Sequence, residues 1–465
     1  MRWRWWFASI AVALLTGVGL GLAIVQMWVF VPEMPSVEEV ADPSAGARPT
    51  PASGAPNVVL VLACTLRRDQ TSVYGDGLDT TPFLASLADA GTTFDDVIAA
   101  APWTKAASSA ILTGRHPLSI GMIEPKRKRN DRALSAEVPT LAHRLRSRGY
   151  QTLGLTANPN LNAIFGFHQG FDRYVQLREL WRTDMTKLHG FQVLGLVDDL
   201  LEEADPKRPL YLQLMLVDAH APFEVSASAL AQQARPDLPE QVAAYRAAVR
   251  ELDEVMSDLY GRLASAGYDP SNTLFVVVSD HGEGLEYPKA HGKAHGRYLF
   301  PSAVGAVWML SGPGIPAGHR IGGVASQVDI VPTLLGLVGG DGYVGPGLDY
   351  SALIRGRGPV TRRAEAFTDT WFINVNRAAV YRDELACQRD FGAAGERDGL
   401  RFREGCFDRS ADPQHMRPLP NADAEAALMA WRAEREDDFE VAPIRDAVPK
   451  KEVVEQLEAL GYVDP

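Results

Sequence analysis

The chain has 465 residues, of which 46% are hydrophobic and 22% are charged, and its formal net charge is −12. This length suffices for one large domain with a smaller companion, and the composition is that of a globular protein. The acidic balance argues against a nucleic-acid partner, which usually demands a basic face. Three cysteines without a CxxC pair exclude a disulfide scaffold and a zinc ribbon.

An uncharged, apolar segment stands at the N-terminus. Arg2 and Arg4 precede the run from Trp5 to Val31, which is roughly 27 residues and long enough to cross a bilayer. Because such arginines stay cytoplasmic, residues 1–31 predict a single-pass membrane anchor with an extracytoplasmic (periplasmic or extracellular) domain behind it. A cleaved signal peptide is the alternative, although no small-x-small cleavage site directly follows Val31.

The rest of the chain divides by composition. Residues 32–56 are rich in Pro, Ala, Ser, Gly and acids, which predicts a flexible linker. In residues 57–345 buried apolar runs alternate with helical patterns, which predicts an α/β fold whose central, mainly parallel sheet is sandwiched by helices. In residues 346–465 short apolar pieces alternate with charged loops, and this predicts a smaller C-terminal α+β subdomain.

The predicted elements of the folded region are bounded by glycine and proline signals. Pro82 stands at the first position of one helix, and Gly91, Gly114 and Gly267 follow helical patterns as stop signals. The predicted strands are 58–63, 150–156, 210–217 and 274–278, and the predicted helices are 82–90, 105–113, 139–148, 240–266 and 452–460.

The cysteines leave two alternatives open. Cys387 and Cys406 can pair if the domain is exported, and closing this loop of about 20 residues would stabilise the fold by about 3 kcal/mol. Two separate free thiols are the other interpretation.

Polar residues follow three of the predicted strands. Cys64 follows the first, His220 lies just beyond the strand from Leu210, and Asp280 and His281 follow the strand from Leu274. Ligands in open α/β sheets bind beyond the carboxyl ends of the strands, so we expect these side chains to converge on one crevice. A cap for the next helix is the alternative interpretation of such a cluster.

Thr104 is predicted as the N-cap of the helix 105–113. A hydroxyl at this position faces the positive end of the helix dipole and free backbone N–H groups. Such a place favours both an ionised nucleophile and a bound anion. The alternative is that Thr104 only caps the helix.

Read together, these segments resemble the sulfatase family within the alkaline phosphatase superfamily. The resemblance implies an alkaline-phosphatase-like fold with one divalent metal ion at the carboxyl edge of the sheet. It also implies a nucleophile that forms a covalent intermediate, which water then hydrolyses. The segments that carry the resemblance are Asn57–Asp69, Thr80–Leu84, Pro102–Arg115, Gly166–Asp172, Ser279–Glu283, His295–Gly296, Asp329–Leu334 and Leu457–Tyr462.

The resemblance also implies roles for single residues. Thr104 matches the nucleophile position, and Cys64, Asp280 and His281 match the metal positions. The residues expected to contact the anion or to protonate the leaving group are Lys105, His220 and His295, with Lys293 and Arg297 as further candidates for substrate contact.

Three positions depart from the family pattern. Thr104 stands where dedicated sulfatases carry a Cys or Ser that is oxidised to formylglycine, so no formylglycine is expected. Cys64 stands where the family has a metal-binding Asp, and a thiolate favours zinc over manganese or calcium. An inert buried thiol is the alternative for Cys64. Ser108 replaces an arginine of the family motif, which removes one anion contact.

The leading hypothesis is metal-dependent hydrolysis of sulfate or phosphate esters with a covalent intermediate on Thr104. The expected partners are an anionic ester (a sulfated or phosphorylated glycan, lipid or small molecule) and a membrane, reached through the N-terminal helix, but no nucleic acid. Two alternatives remain: a phosphoryl-group transferase acting on envelope glycans or lipids, and a catalytically inactive relative that binds an anionic glycan or a protein.

Overall fold

A computed structural model describes most of the chain after residue 35. Within the described ranges no helix is long and apolar enough to cross a membrane. The predicted anchor, residues 1–31, and the candidate Lys293 lie outside those ranges. The described residues are 36–43, 48–75, 77–125, 131–179, 187–285, 295–340, 342–357, 362–372, 374–392 and 402–459.

Strands and helices alternate over most of the described chain. The strands are β1 Ser36–Val40, β2 Asn57–Ala63, β3 Thr92–Ile98, β4 Arg132–Ala133, β5 Gln151–Thr156, β6 Arg173–Glu179, β7 Leu210–Leu216, β8 Thr273–Ser279, β9 Gly305–Ala306, β10 Trp308–Ser311, β11 His319–Ser326, β12 Ala366–Phe372, β13 Val375–Tyr381, β14 Leu385–Asp390, β15 Gly405–Asp408 and β16 Arg445–Asp446. The helices are α1 Pro82–Ala90, α2 Thr104–Thr113, α3 Leu141–Arg146, α4 Gly190–Glu202, α5 Ala227–Gln233, α6 Glu240–Ser265, α7 Pro301–Val304, α8 Ile330–Leu337, α9 Ser351–Ile354, α10 Ala422–Glu440 and α11 Lys451–Ala459.

A mixed sheet forms the centre of the fold, in the order β1-β6-β5-β7-β2-β8-β10-β3-β11. The five neighbours from β6 to β8 run parallel to one another. Strand β10 runs antiparallel between β8 and β3, whereas β11 pairs parallel with β3. Helices α1, α3 and α4 contact these strands. The predicted α/β fold with a mainly parallel central sheet is therefore confirmed, with β1, β9 and β10 as the antiparallel members.

The strands in the middle of the central sheet position the candidate site. Strands β7, β2 and β8 are neighbours and are buried along their whole length, as their continuous apolar runs require. Ala63 pairs with Leu216 on one side and with Ser279 on the other. The residues that follow these three positions consequently leave the sheet side by side.

Two local predictions need correction. Helix α2 begins at Thr104 itself, and Trp103 is the N-cap residue, with extended backbone angles (φ −150°, ψ 147°). Thr104 is therefore the first residue of the helix and not its cap. In the predicted linker, Ser36–Val40 forms the edge strand β1, paired antiparallel with β6, so this segment has regular structure.

A second, antiparallel sheet lies in the C-terminal part, in the order β12-β13-β14-β15. Helix α10 contacts this sheet, and its Trp431 stacks on Phe367 at 4.8 Å between ring centres. A disulfide joins Cys387 of β14 to Cys406 of β15, so the paired alternative is the one the structure adopts. The boundary between residues 345 and 346 stays a prediction.

Candidate active site

Asp280 ties the ends of β2 and β8 together. Its Oδ1 accepts hydrogen bonds from the backbone N–H of Thr65 (2.8 Å) and of His281 (2.7 Å). Thr65 adopts a left-handed conformation (φ +55°), which is costly for a β-branched residue and is typical of functional sites. The other carboxylate oxygen, Oδ2, is buried and has no hydrogen-bond donor among the described residues.

His281 presents one ring nitrogen to the candidate nucleophile. Its Nδ1 lies 2.7 Å from the carbonyl oxygen of Gly282, so Nδ1 carries the proton and donates it there. Its Nε2 lies 3.2 Å from Thr104 Oγ1 and 3.4 Å from Asp280 Oδ2. Burial lowers the pKa of His281, with Asp280 opposing the shift, so the neutral ring is favoured. Nε2 is thus an acceptor that faces the threonine hydroxyl.

Thr104 lies where α2 begins, and its side chain is fully buried. Its hydroxyl lies between His281 Nε2 and the sulfur of Cys64, which is 3.6 Å away. Ser108, one turn further along α2, is buried with no hydrogen-bond partner for its Oγ in the described part of the chain. Binding of an anion by the backbone N–H groups at the start of α2 stays a prediction.

Two residues near Cys64 were missed from sequence. The side-chain amide of Asn158 donates to Cys64 Sγ at 3.3 Å. Asn158 follows β5, so the rule that polar residues gather at strand ends would have found it. The buried ammonium of Lys187 donates to the carbonyl oxygens of Asp218 and His220, both at 2.7 Å. No periodic pattern surrounds Lys187, so no sequence signal pointed to it.

A second group of side chains consists of His220, His295 and Glu283. Glu283 Oε1 lies 3.1 Å from His295 Nδ1, and the Nδ1 of His220 lies 2.6 Å from the carbonyl oxygen of Ala221. The His295 ring is 4.7 Å from the His281 ring and 5.2 Å from the His220 ring, between centres. The structure therefore brings His220, His281 and His295 together, as predicted.

Electrostatics distinguish the two outer histidines. Burial lowers the pKa of His220 to about 3, so its ring is neutral. Burial also opposes a charge on His295, but the Glu283 carboxylate outweighs it and raises the pKa of His295. Burial would raise the pKa of Glu283, yet His295 lowers it to about 2. His295 is therefore the histidine of this group that is best able to carry a proton.

The remaining candidates in the described part of the chain are Lys105 and Arg297. The Lys105 amine lies 3.1 Å from the Arg132 carbonyl oxygen and 3.6 Å from the centre of the Phe165 ring, and burial lowers its pKa to about 7. These contacts direct it toward Arg132 and Phe165, so its predicted contact with the anion stays a prediction. Arg297 is half-buried, and its carbonyl oxygen accepts from Arg377 at 2.9 Å.

The donor set fits a cation only in part. Asp280 Oδ2 and His281 Nε2 are both acceptors and face each other at 3.4 Å, an arrangement that a cation would stabilise. Cys64 adjoins this pair through the Thr104 hydroxyl. Among the described residues, no group of three His, Cys, Asp or Glu side chains is arranged to hold a metal ion. Two of the three predicted ligands are therefore brought together directly.

Comparisons with known proteins agree with this geometry. The model of the sulfatase family matches residues 56–340. A sulfatase of Formosa agariphila is 23% identical over 392 residues, which is 69% of this chain and 75% of the relative.

Solved structures share the fold. One protein, in complex with its substrate D-glucosamine-2-N,6-O-disulfate, superposes with a TM-score of 0.66 at 16% identity, over 83% of this chain and 98% of that chain. A phosphonate monoester hydrolase of Agrobacterium radiobacter superposes with a TM-score of 0.62 at 17% identity, over 82% of this chain and 95% of that chain. Because the family model spans more than half of the sequence, the chain belongs to the sulfatase family and is a hydrolase of the sulfuric ester type.

Proposed function

We propose that this sulfatase-family hydrolase cleaves sulfate or phosphate esters through a covalent intermediate on Thr104. The observation that carries the proposal is the position of the Thr104 hydroxyl, 3.2 Å from His281 Nε2 at the N-terminus of α2. A nucleophile next to an acceptor nitrogen, at the start of a helix whose dipole favours an anion, suits nucleophilic catalysis.

His295 serves both the leaving group and the attacking water. Thr104 Oγ1 loses its proton to water and attacks the sulfur or phosphorus, and the bond from that atom to the leaving oxygen breaks. His295 gives its proton to the leaving oxygen, so an alcohol departs. Water then attacks the sulfur or phosphorus of the threonine ester and gives a proton to His295. Thr104 Oγ1 leaves and regains a proton from water, which restores the hydroxyl and the protonated histidine.

The proposed cofactor is one divalent metal ion, with Asp280 and His281 as ligands and Cys64 as the third. When bound, such an ion lowers the pKa of the nucleophile and polarises the ester. The thiolate favours zinc, with manganese or calcium as the alternatives. Formylglycine has no place in the proposal, because Thr104 supplies an ordinary hydroxyl oxygen.

The proposed substrates are sulfated or phosphorylated glycans, lipids or small molecules. The structural relative that binds a disulfated glucosamine supports a sulfated sugar, and the phosphonate hydrolase supports a phosphorus ester. We place the protein outside the cytoplasm, anchored by residues 1–31. The Cys387–Cys406 disulfide supports this location, because such bonds persist in oxidising compartments.

The test is to trap the intermediate. The full chain, purified in detergent with zinc, is mixed with a nitrophenyl sulfate and with nitrophenyl phosphate monoesters and diesters. Turnover should be accompanied by a sulfated or phosphorylated peptide that contains Thr104, detected by mass spectrometry after an acid quench. Turnover that continues in Thr104→Ala would overturn the proposal. Binding of a sulfated glycan without any turnover would instead favour the inactive relative.

A further inference from the structure

We infer that Glu283 is a positioning residue that holds the His295 ring in the orientation from which it protonates the leaving group. The inference rests on the proposed function, because it gives a partner to the histidine that donates the proton there. Glu283 is not among the residues that the sequence pattern assigned to the site.

Glu283 is buried, and neighbouring groups hold its backbone and one of its carboxylate oxygens. It is 4% exposed, and its Oε1 accepts from the backbone N–H of Gly284 at 2.8 Å as well as from His295 at 3.1 Å. Its backbone carbonyl accepts from the guanidinium of Arg67 at 3.2 Å. A Cβ on the preceding Gly282 would lie 1.9 Å from the Ser302 carbonyl oxygen, so the chain passes tightly there. Oε1 of Glu283 is consequently held in place as an acceptor.

Two further hydrogen bonds hold the backbone next to His295. The N–H of Gly296 donates to the carbonyl oxygen of Pro102 at 2.8 Å, and the hydroxyl of Thr370 donates to the carbonyl oxygen of Gly296 at 2.5 Å. These bonds fix the backbone at this position. The bond from Nδ1 to Glu283 favours one orientation of the ring.

This bond also selects the tautomer. A proton on Nδ1 is donated to Glu283, and proton exchange with the substrate is assigned to Nε2. The ring lies between His281 and His220, at 4.7 and 5.2 Å between centres. Removal of a carboxylate partner from a metal-bound histidine typically costs about 10- to 100-fold, and we expect an effect of similar size for this proton-donating histidine.

The experiment measures kcat/KM for a series of aryl sulfates and aryl phosphates whose leaving phenols differ in acidity. Poorly acidic phenols need a proton from the enzyme, whereas nitrophenols do not. Glu283→Ala should lower kcat/KM by about 10- to 100-fold for the least acidic phenols and by less than about threefold for nitrophenol, with KM nearly unchanged. Glu283→Gln, whose amide oxygen can still accept from Nδ1, should show a smaller loss with the same trend.

The outcomes separate the inference from the proposed function. In one outcome, kcat/KM of His295→Ala depends steeply on the acidity of the leaving phenol, whereas Glu283→Ala loses the same factor of kcat/KM for every phenol. This result would overturn the role of Glu283 and leave His295 as the acid. An unchanged dependence in His295→Ala would overturn the acid role of His295 and the inference with it. If Glu283→Ala does not fold, Glu283→Gln decides, because a dependence identical to that of the parent contradicts the inference.

A matched control is available on the same molecule. Glu224 Oε2 lies 3.0 Å from His189 Nε2, so Glu224→Gln also removes a carboxylate from a glutamate–histidine pair. This variant should keep the leaving-group dependence of the parent. A change as large as that of Glu283→Gln would contradict the inference, since it would show a general effect of lost charge.

Discussion

The two halves of the site differ in what fixes them. The nucleophile half, Cys64 with Thr104, Asp280 and His281, departs from the family pattern at two positions and contains a buried carboxylate oxygen that has no donor in the described part of the chain. In the proton-transfer half, formed by His220, His295 and Glu283, protein acceptors fix both rings through Nδ1. The departures from the family pattern therefore lie where the proposed nucleophile and metal would act, whereas each histidine of the other half has an acceptor for its Nδ1.

The largest effect is expected from breaking the nucleophile half at its centre. Thr104→Ala removes the attacking oxygen and should lower kcat/KM by at least about 10³-fold, since removal of a nucleophile eliminates the covalent route. The measurement is steady-state hydrolysis of a nitrophenyl ester. Thr104→Ser keeps a hydroxyl and is the control, with a clearly smaller loss and a similar unfolding temperature. Activity of Thr104→Ala within tenfold of the parent would show that another group attacks.

The second effect concerns the metal preference of the same half. Cys64→Asp replaces a soft sulfur ligand by a hard carboxylate. The ratio of the affinity for zinc to the affinity for manganese or calcium should therefore fall by about 100-fold. Metal titrations of both proteins measure this shift, and the cobalt(II) form of the parent should show a sulfur-to-metal charge-transfer band that the variant lacks. The same metal preference in both proteins would mean that Cys64 is an inert thiol. Cys64→Ser separates loss of sulfur from gain of charge.

The central sheet and the nucleophile half were the parts most open to prediction from sequence. Strands β2, β7 and β8 are buried on both faces, so their apolar runs are continuous, and their predicted ends differ from the observed ends by one residue at most. Their order in the sheet depends on pairing between distant segments and was not predictable. The antiparallel β10 has only four residues, which is too short for a periodic sequence pattern.

The contacts around the histidines were harder to predict. Lys187 and Asp218 lie 31 residues apart, and Glu283 and His295 lie 12 apart, so tertiary packing decides whether they meet. The start of α2 was misplaced by one residue because extended angles at Trp103 make that residue the cap, although its side chain is not a capping type.

The third prediction tests whether the proton-transfer half depends on Lys187. Lys187→Met keeps the length of the side chain but leaves buried carbonyl oxygens of Asp218 and His220 without their donor. Relief of the buried charge offsets part of the loss, so the free energy of unfolding should fall by about 1–3 kcal/mol. Urea unfolding measures this change. The exposed Lys207→Met should have no effect, and equal stability of the two variants would refute the role of Lys187.

The smallest effect is expected from the amide that supports Cys64. Asn158→Ala removes the donor to Cys64 Sγ, and loss of such an outer-shell hydrogen bond typically lowers metal affinity by about tenfold or somewhat more. Zinc affinity is measured by competition with a chelator. Asn160→Ala is the matched control, because Asn160 donates to the Asn158 side chain at 3.2 Å and perturbs the same network without removing the amide that reaches the sulfur. Equal losses in both variants would mean that the network only supports the fold. A loss of zinc affinity that occurs in Asn158→Ala but not in Asn160→Ala, and that disappears when Cys64 is replaced by Asp, would show that the Asn158 amide acts through the Cys64 thiolate. Cys64, which departs from the family pattern, would then be a metal ligand.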